Sequence, residues 1–222
     1  MSRKNSLPGG ARAPRPSLAA SRQADGADRQ PVGRARIGQA NGTACALALA
    51  LWLTGGAAAA FELDSPDLKA DALVPELHVF DGFGCKGGNL SPALAWKDPP
   101  AGTKSFALMV HDPDAPTGGA GWWHWVVHGL PANTMSLPQG AGSADGSKLP
   151  DGAQQPRTDF GGPGWGGPCP PVGDKPHRYL FTVYALQVDK LEVPQDATAS
   201  LVGFMINANA LGKASFTRSY GR

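Results

Sequence analysis

The sequence predicts a mainly β domain, an antiparallel sandwich of a large and a smaller sheet with few short helices. Glycine and proline number 30 and 21, too dense for long helices over most of the chain. Several segments alternate apolar and polar residues with period two, as half-buried strands do. One stretch alone carries a helical period, and it comes late in the chain.

In chain order, Phe61–Leu68 (FELDSPDL) reads as a weak strand. Ser105–Asp112 (SFALMVHD) sets Phe106, Leu108 and Val110 on one face. His124–Leu130 (HWVVHGL) places Trp125 and Val127 opposite His124, Val126 and His128. His177–Val188 (HRYLFTVYALQV) is long and rich in β-branched and aromatic side chains. A helix follows over Asp196–Ala214, regular near 197–213, with Asp196 or Thr198 as its cap. Leu201, Met205, Ala208 and Leu211 fall on one stripe of it. Ala214–Gly221 closes the chain as a strand. Aperiodic connections span Pro138–Pro156 and Phe160–Pro176, and there is no internal repeat.

The first 60 residues are a different kind of sequence. Residues 1–43 are rich in Arg, Pro, Gly and Ala without apolar periodicity, and read as a disordered basic leader. The run Ala44–Leu53 (ACALALALWL) is apolar and leads into small residues, the order of a secretory signal with processing near 60/61. A membrane span needs about 20 apolar residues, so no transmembrane anchor is expected. Residues 61–222 then form a single domain, periplasmic or secreted.

Removing the eight Lys/Arg and two Asp/Glu of residues 1–60 from totals of 20 and 18 leaves 12 and 16, a net charge of −4. A mildly acidic domain without a basic stripe excludes nucleic acid as a natural partner. Cys45 sits inside the apolar run of the leader. Cys85 and Cys169 remain, an even number in an exported chain, and are read as a structural disulfide, with two free thiols as the alternative.

Polar groups gather at predicted strand ends. Asp112 and Asp114 flank Pro113 after one strand, His124 opens the next, and His177 opens the long one. Positions i and i+2 of an extended chain face the same way, so the two carboxylates would share a side, near imidazole partners. An ordinary Asp-Pro turn is the plain alternative. His78, His111 and His128 read as structural or surface residues. The glycine-rich Phe160–Tyr179 segment could bring backbone N–H groups close to a ligand, Gly166 and Gly167 forming one wall. Trp122, Trp123, Trp125 and Trp165 read as interior packing. No His pair has metal-ligand spacing and no G-x-S-x-G elbow occurs, so no metal, no cofactor and no catalytic residue is expected.

Four segments in order, FGCKGGNLSPALAW, DPDAPTGGAGWWHWVVHGLP, GGPCPPVGDKPHRYLFTVYAL and LVGFMINANALGKA, resemble the phosphatidylethanolamine-binding protein family in its bacterial Raf-kinase-inhibitor-like branch. The resemblance covers nearly all of Phe61–Arg222. It implies a large antiparallel sheet packed on a smaller one, with an anion pocket at one end. Carried over by motif, it implies a ligand site of Asp112, Asp114, His124, Gly167, His177 and Tyr179. Phosphate oxygens would accept from the His124 imidazole and from backbone near Gly167, while the aspartates orient the histidines or meet a ligand ammonium. The loop between Asp114 and His124 is short and lacks the tyrosine of mammalian members, which leaves lipid selectivity and kinase inhibition open.

The expected function is therefore binding of a small phosphate-bearing ligand or phospholipid head group. Rival readings are a protein partner, through inhibition of a kinase or protease, and a hydrolase or lyase using the Asp/His groups. A homodimer is compatible with such sheets.

Overall fold

A central sheet of four antiparallel strands carries the structure, a computed structural model that describes residues 59–222. The predicted leader, with its apolar core 44–53, lies outside the described residues. The central strands are β5 (Ser105–Asp112), β6 (Trp122–Pro131), β8 (His177–Leu186) and β9 (Ala210–Tyr220), in the order β6-β5-β8-β9. A three-stranded sheet, β1-β4-β7, covers one face with β1 (Glu62–Asp64), β4 (Leu94–Lys97) and β7 (Ser136–Leu137). A two-stranded hairpin pairs β2 (Asp81–Gly82) with β3 (Cys85–Lys86).

The central sheet is buried on both faces. Phe106, Leu108 and Val110 of β5 join Trp125, Phe181 and Trp96 in the core beneath the small sheet. Ala107 and Met109 face the other way, against Val202 and Ile206 of helix α1 (Ala199–Asn209). Every residue from Ser105 to Val110 is buried, which is why β5 reads as an almost continuous apolar run. Among the described residues no helix is long and apolar enough to cross a membrane.

Helix α1 corrects the sequence reading in two ways. Thr198 is its cap, accepting from Leu201 N–H at 3.2 Å, but the helix stops at Asn209 rather than near 213. From Ala210 the chain pairs with β8 (Leu186 opposite Ala210), and this tertiary ladder overrides the helix-forming Ala and Leu residues there. The buried face is Ala199, Val202, Gly203 and Ile206. Of the expected stripe, Leu201 faces outward, about two-fifths exposed (41%), and Leu211 falls on β9 instead. Gly203 allows the close approach to β5, since a Cβ there would come within 3.2 Å of the Met109 side chain.

Cys85 and Cys169 form a disulfide across 84 residues, with Cα atoms 6.0 Å apart. It joins the β2–β3 hairpin to the glycine-proline segment before β8. Closing a loop of this length stabilises by about 4–5 kcal/mol in the chain-entropy account. Replacing both cysteines by serine should lower the free energy of denaturant unfolding by roughly that amount. An unchanged midpoint and slope would mean the bridge does not constrain the unfolded chain.

Candidate functional site

The site begins with a defect in the sheet. Val110 pairs with Trp125 and His111 pairs with Trp123, so His124 is left without a partner on β5. Such a bulge breaks the alternation of side chains and re-aims one of them. His124 was expected opposite Trp125; instead both turn to the core under the small sheet. The His124 ring lies edge-on to Tyr179 (5.1 Å) and Phe160 (5.2 Å), while Trp123 turns to α1 and donates from Nε1 to Ser200 at 3.3 Å.

The unpaired residue finds its partner elsewhere. Gly166 N–H donates to the His124 carbonyl at 2.9 Å, and His124 Nδ1 donates to the Gly166 carbonyl at 2.5 Å. Because a carbonyl only accepts, Nδ1 carries the proton and Nε2 is the ring nitrogen left for a ligand. Burial pushes the ring's pKa down to about 4, against the smaller upward pull of the Gly166 bond and the Asp112 charge. The imidazole is neutral at pH 7.

Asp112 ends β5 on the same face as Val110 and is buried. Its Oδ1 accepts from the N–H groups of Asp114 (2.8 Å) and Ala115 (3.1 Å), which folds the chain back at once. Its Oδ2 accepts from His177 Nδ1 at 2.8 Å, and His177 Nε2 lies 3.4 Å from Asp174 Oδ2. That early turn is why the two aspartates do not share a side. Asp114 reaches Arg178 instead, accepting two guanidinium bonds (2.7 and 2.8 Å) and the Arg178 backbone N–H (2.9 Å). The Arg178 fork holds the Asp114 carboxyl down at about 2.

Asp112, His124 and His177 form the polar floor of a cup of about 200 Å³ at the end of the central sheet. Its walls are the rings of Phe83, Trp122 and Phe160, the Ala115–Thr117 turn, and Cys169 with the two prolines after it. Asp114, Gly167 and Tyr179 are not in the lining. Gly167 gives its N–H to Asn89 Oδ1 at 2.9 Å and lies against the His78 carbonyl and Val79, where any Cβ would collide. Tyr179 is wholly buried behind His124, and burial followed by the Asp112 charge pushes its phenol pKa far up. Among the described residues no group of three or more His, Cys, Asp or Glu could hold a metal ion.

Several residues of the site were not among the expected site residues, although Phe83 and Asn89 fall in the FGCKGGNLSPALAW segment and Phe160 opens the glycine-rich one. Phe160 stands between the cup and a neighbouring cavity of about 300 Å³, on a loop that Asp159 Oδ2 fastens to Trp123 N–H at 2.7 Å. Phe83 sits at the hairpin turn with φ +51°. Asn89, at φ +46° in a Lys-Gly-Gly-Asn turn, was the one with a legible signal, since Asn tolerates that backbone and can bond a neighbouring segment.

A two-sheet β sandwich with a small cup at the end of its large sheet defines the structural class. The family described as "Phosphatidylethanolamine-binding protein" matches residues 64–221, and the chain belongs to that family. It is 53% identical to YbcL of Escherichia coli (strain K12) over 163 residues, 73% of this chain and 88% of that protein. It is 50% identical to YbhB of the same organism over 159 residues, 72% of this chain and 99% of that protein. The crystal structure of E. coli YbcL, described as a new member of the mammalian PEBP family, superposes with a TM-score of 0.71 at 52% identity, covering 74% of this chain and 99% of that one. A relative from Mycobacterium tuberculosis, 38% identical over 138 residues (62% of this chain, 63% of that protein), carries a lipoprotein name, LppC.

Two predictions test this geometry. Asp112→Ala removes the partner of a buried histidine and should cost about 3–5 kcal/mol of stability, whereas Asp114→Ala, at a half-exposed pair, should cost under about 1 kcal/mol. Equal losses in urea unfolding would contradict the division of labour. His124 has a folded pKa of about 4 against an ordinary 6.5, so its contribution is intact above 6.5 and is lost as pH falls toward 4. The loss should total on the order of 3 kcal/mol and be missing from a His124→Gln variant. Parallel pH profiles for the two proteins would show that the ring titrates normally.

Proposed function

We propose that this chain is an exported binding protein whose cup holds the phosphate-bearing head group of a small ligand, either a phospholipid head group or its soluble counterpart. The observation that carries the reading is the convergence of Asp112, His124 and His177 at the floor of a 200 Å³ cup with aromatic walls. The volume suits a head group, and the floor offers fixed polar partners from three strands. The family's description supports the same ligand class.

The structure changes how a phosphate would be held. The expected amide of Gly167 is spent on Asn89, and the N–H of Gly166 on the His124 carbonyl. Contact with phosphate therefore falls to His124 Nε2, an acceptor in the free protein. One hydrogen must enter that contact, carried by the phosphate or taken up by the ring. Binding of the anion stabilises the imidazolium and raises its pKa from about 4, so binding is linked to proton uptake.

Export is supported by the sequence of the leader, by a disulfide of the kind that persists in oxidising compartments, and by the lipoprotein name of one relative.

NMR titration with phosphoethanolamine is expected to shift His124 and His177. The affinity should rise as pH falls from 8 toward 5, by at most about tenfold per unit for one linked proton. His124→Ala should weaken binding about tenfold to a hundredfold and flatten the pH dependence. Saturating ligand that leaves both rings unmoved would sink this reading.

A further inference from the structure

Two apolar side chains stand exposed beside the cup, one in its wall and one on the residue after Pro171, which lines it. Phe83 is 68% exposed at the turn of the β2–β3 hairpin, and Val172 is 77% exposed in the loop before β8. Phe83 holds a left-handed backbone (φ +51°) that a bulky side chain adopts only under constraint. One face of the Phe83 ring packs on Phe80 and Phe160 (centroids 5.3 and 6.0 Å) as part of the cup wall, and the rest of this large ring stands in water on a strained turn.

The two loops that carry Phe83 and Val172 are tied together. The disulfide lies two residues after Phe83 and three before Val172. Arg222 adds a strut: its Nε donates to the Pro170 carbonyl at 2.6 Å and its Nη2 to the Phe83 carbonyl at 3.2 Å. Gly82-Phe83-Gly84 and Pro171-Val172-Gly173 contain no polar side chain, while Asp81, Lys86, Asp174 and Lys175 flank them along the chain as a charged collar.

We propose that Phe83 and Val172 form a rigid apolar wedge that enters a phospholipid surface and sets the cup mouth at head-group level. The proposal rests on the head-group reading above and extends it to the partner. Val172 decides between a free ligand and a surface, because it does not line the cup and gives nothing to a molecule confined there. The size of the wedge decides between a lipid surface and a folded protein. Two side chains and a proline fall far short of the roughly 800 Å² per partner that a stable protein interface buries. A deformable lipid interface accepts so small an apolar tip within a polar collar. With Arg222 the collar holds three cations against two carboxylates, so insertion provides most of the binding and charge attraction a minor part.

The test is flotation of the protein, purified from its own cells, with vesicles of phosphatidylethanolamine and phosphatidylglycerol. The wild type should float, nearly equally at low and high salt. Val172→Ser should lower its partition about tenfold, from the apolar area no longer buried. Phe83→Ser should lower it further. Phosphoethanolamine titration of Val172→Ser should match the wild type, which reports an intact fold and cup. No flotation of the wild type, equal flotation of Val172→Ser, or binding abolished by salt would each overturn the wedge. Flotation as expected without any phosphoethanolamine binding would instead sink the head-group reading and leave the wedge standing.

Discussion

One unpaired residue in a strand organises this site. The bulge between Trp123 and Trp125 frees His124 from the β5 ladder, and Gly166 takes up both its carbonyl and its ring. The reciprocal pair costs the sheet one rung of hydrogen bonding and returns two bonds to a distant loop. It also fixes the tautomer: with Nδ1 bound to a carbonyl, the cup sees Nε2 as an acceptor. Gly166 must be glycine for this, because the Phe160 ring lies where a Cβ would stand, within 2.4 Å. A cup wall and a floor residue thus share one packing requirement.

Around that pair the charges are neutralised locally rather than offered to solvent. Asp112 is saturated by two backbone N–H groups and His177, and Asp114 by the Arg178 fork. Each aspartate of the Asp-Pro-Asp motif therefore serves a different neighbour on β8, one on each face of the sheet. The motif acts as a clasp between β5 and β8, and only its first carboxylate reaches the cup. Selectivity is left to a histidine nitrogen, the Asp112–His177 pair and the aromatic rim.

The sequence made the fold legible because both of its signals are local. Period-two segments such as Ser105–Asp112 and His177–Leu186 became central strands, and the family motifs named the sandwich. The helix boundary was not legible, since Ala210–Ala214 favours a helix alone and joins β9 only through pairing with β8. The site was partly legible. Asp112, His124 and His177 lie at strand ends and converge as the motifs imply. Gly167, Asp114 and Tyr179 belong to the same motifs but support the cup from behind or beside it. Nothing in a strand's own pattern reveals a bulge, so the orientation of His124 could not be read. Phe83 and Phe160 come from loops whose positions depend on the disulfide and on the Asp159–Trp123 bond, contacts made across long stretches of chain.

The protonation of His124 in the free protein is the most direct test, observed by long-range ¹H–¹⁵N NMR of the ring at pH 7. A neutral imidazole with its hydrogen on Nδ1, and an Nε2 signal in the unprotonated range that persists down to about pH 5, is the predicted result. A hydrogen on Nε2 alone would break the pairing with Gly166 on which the account of the cup depends, and an imidazolium at pH 7 would contradict the free acceptor assigned to Nε2.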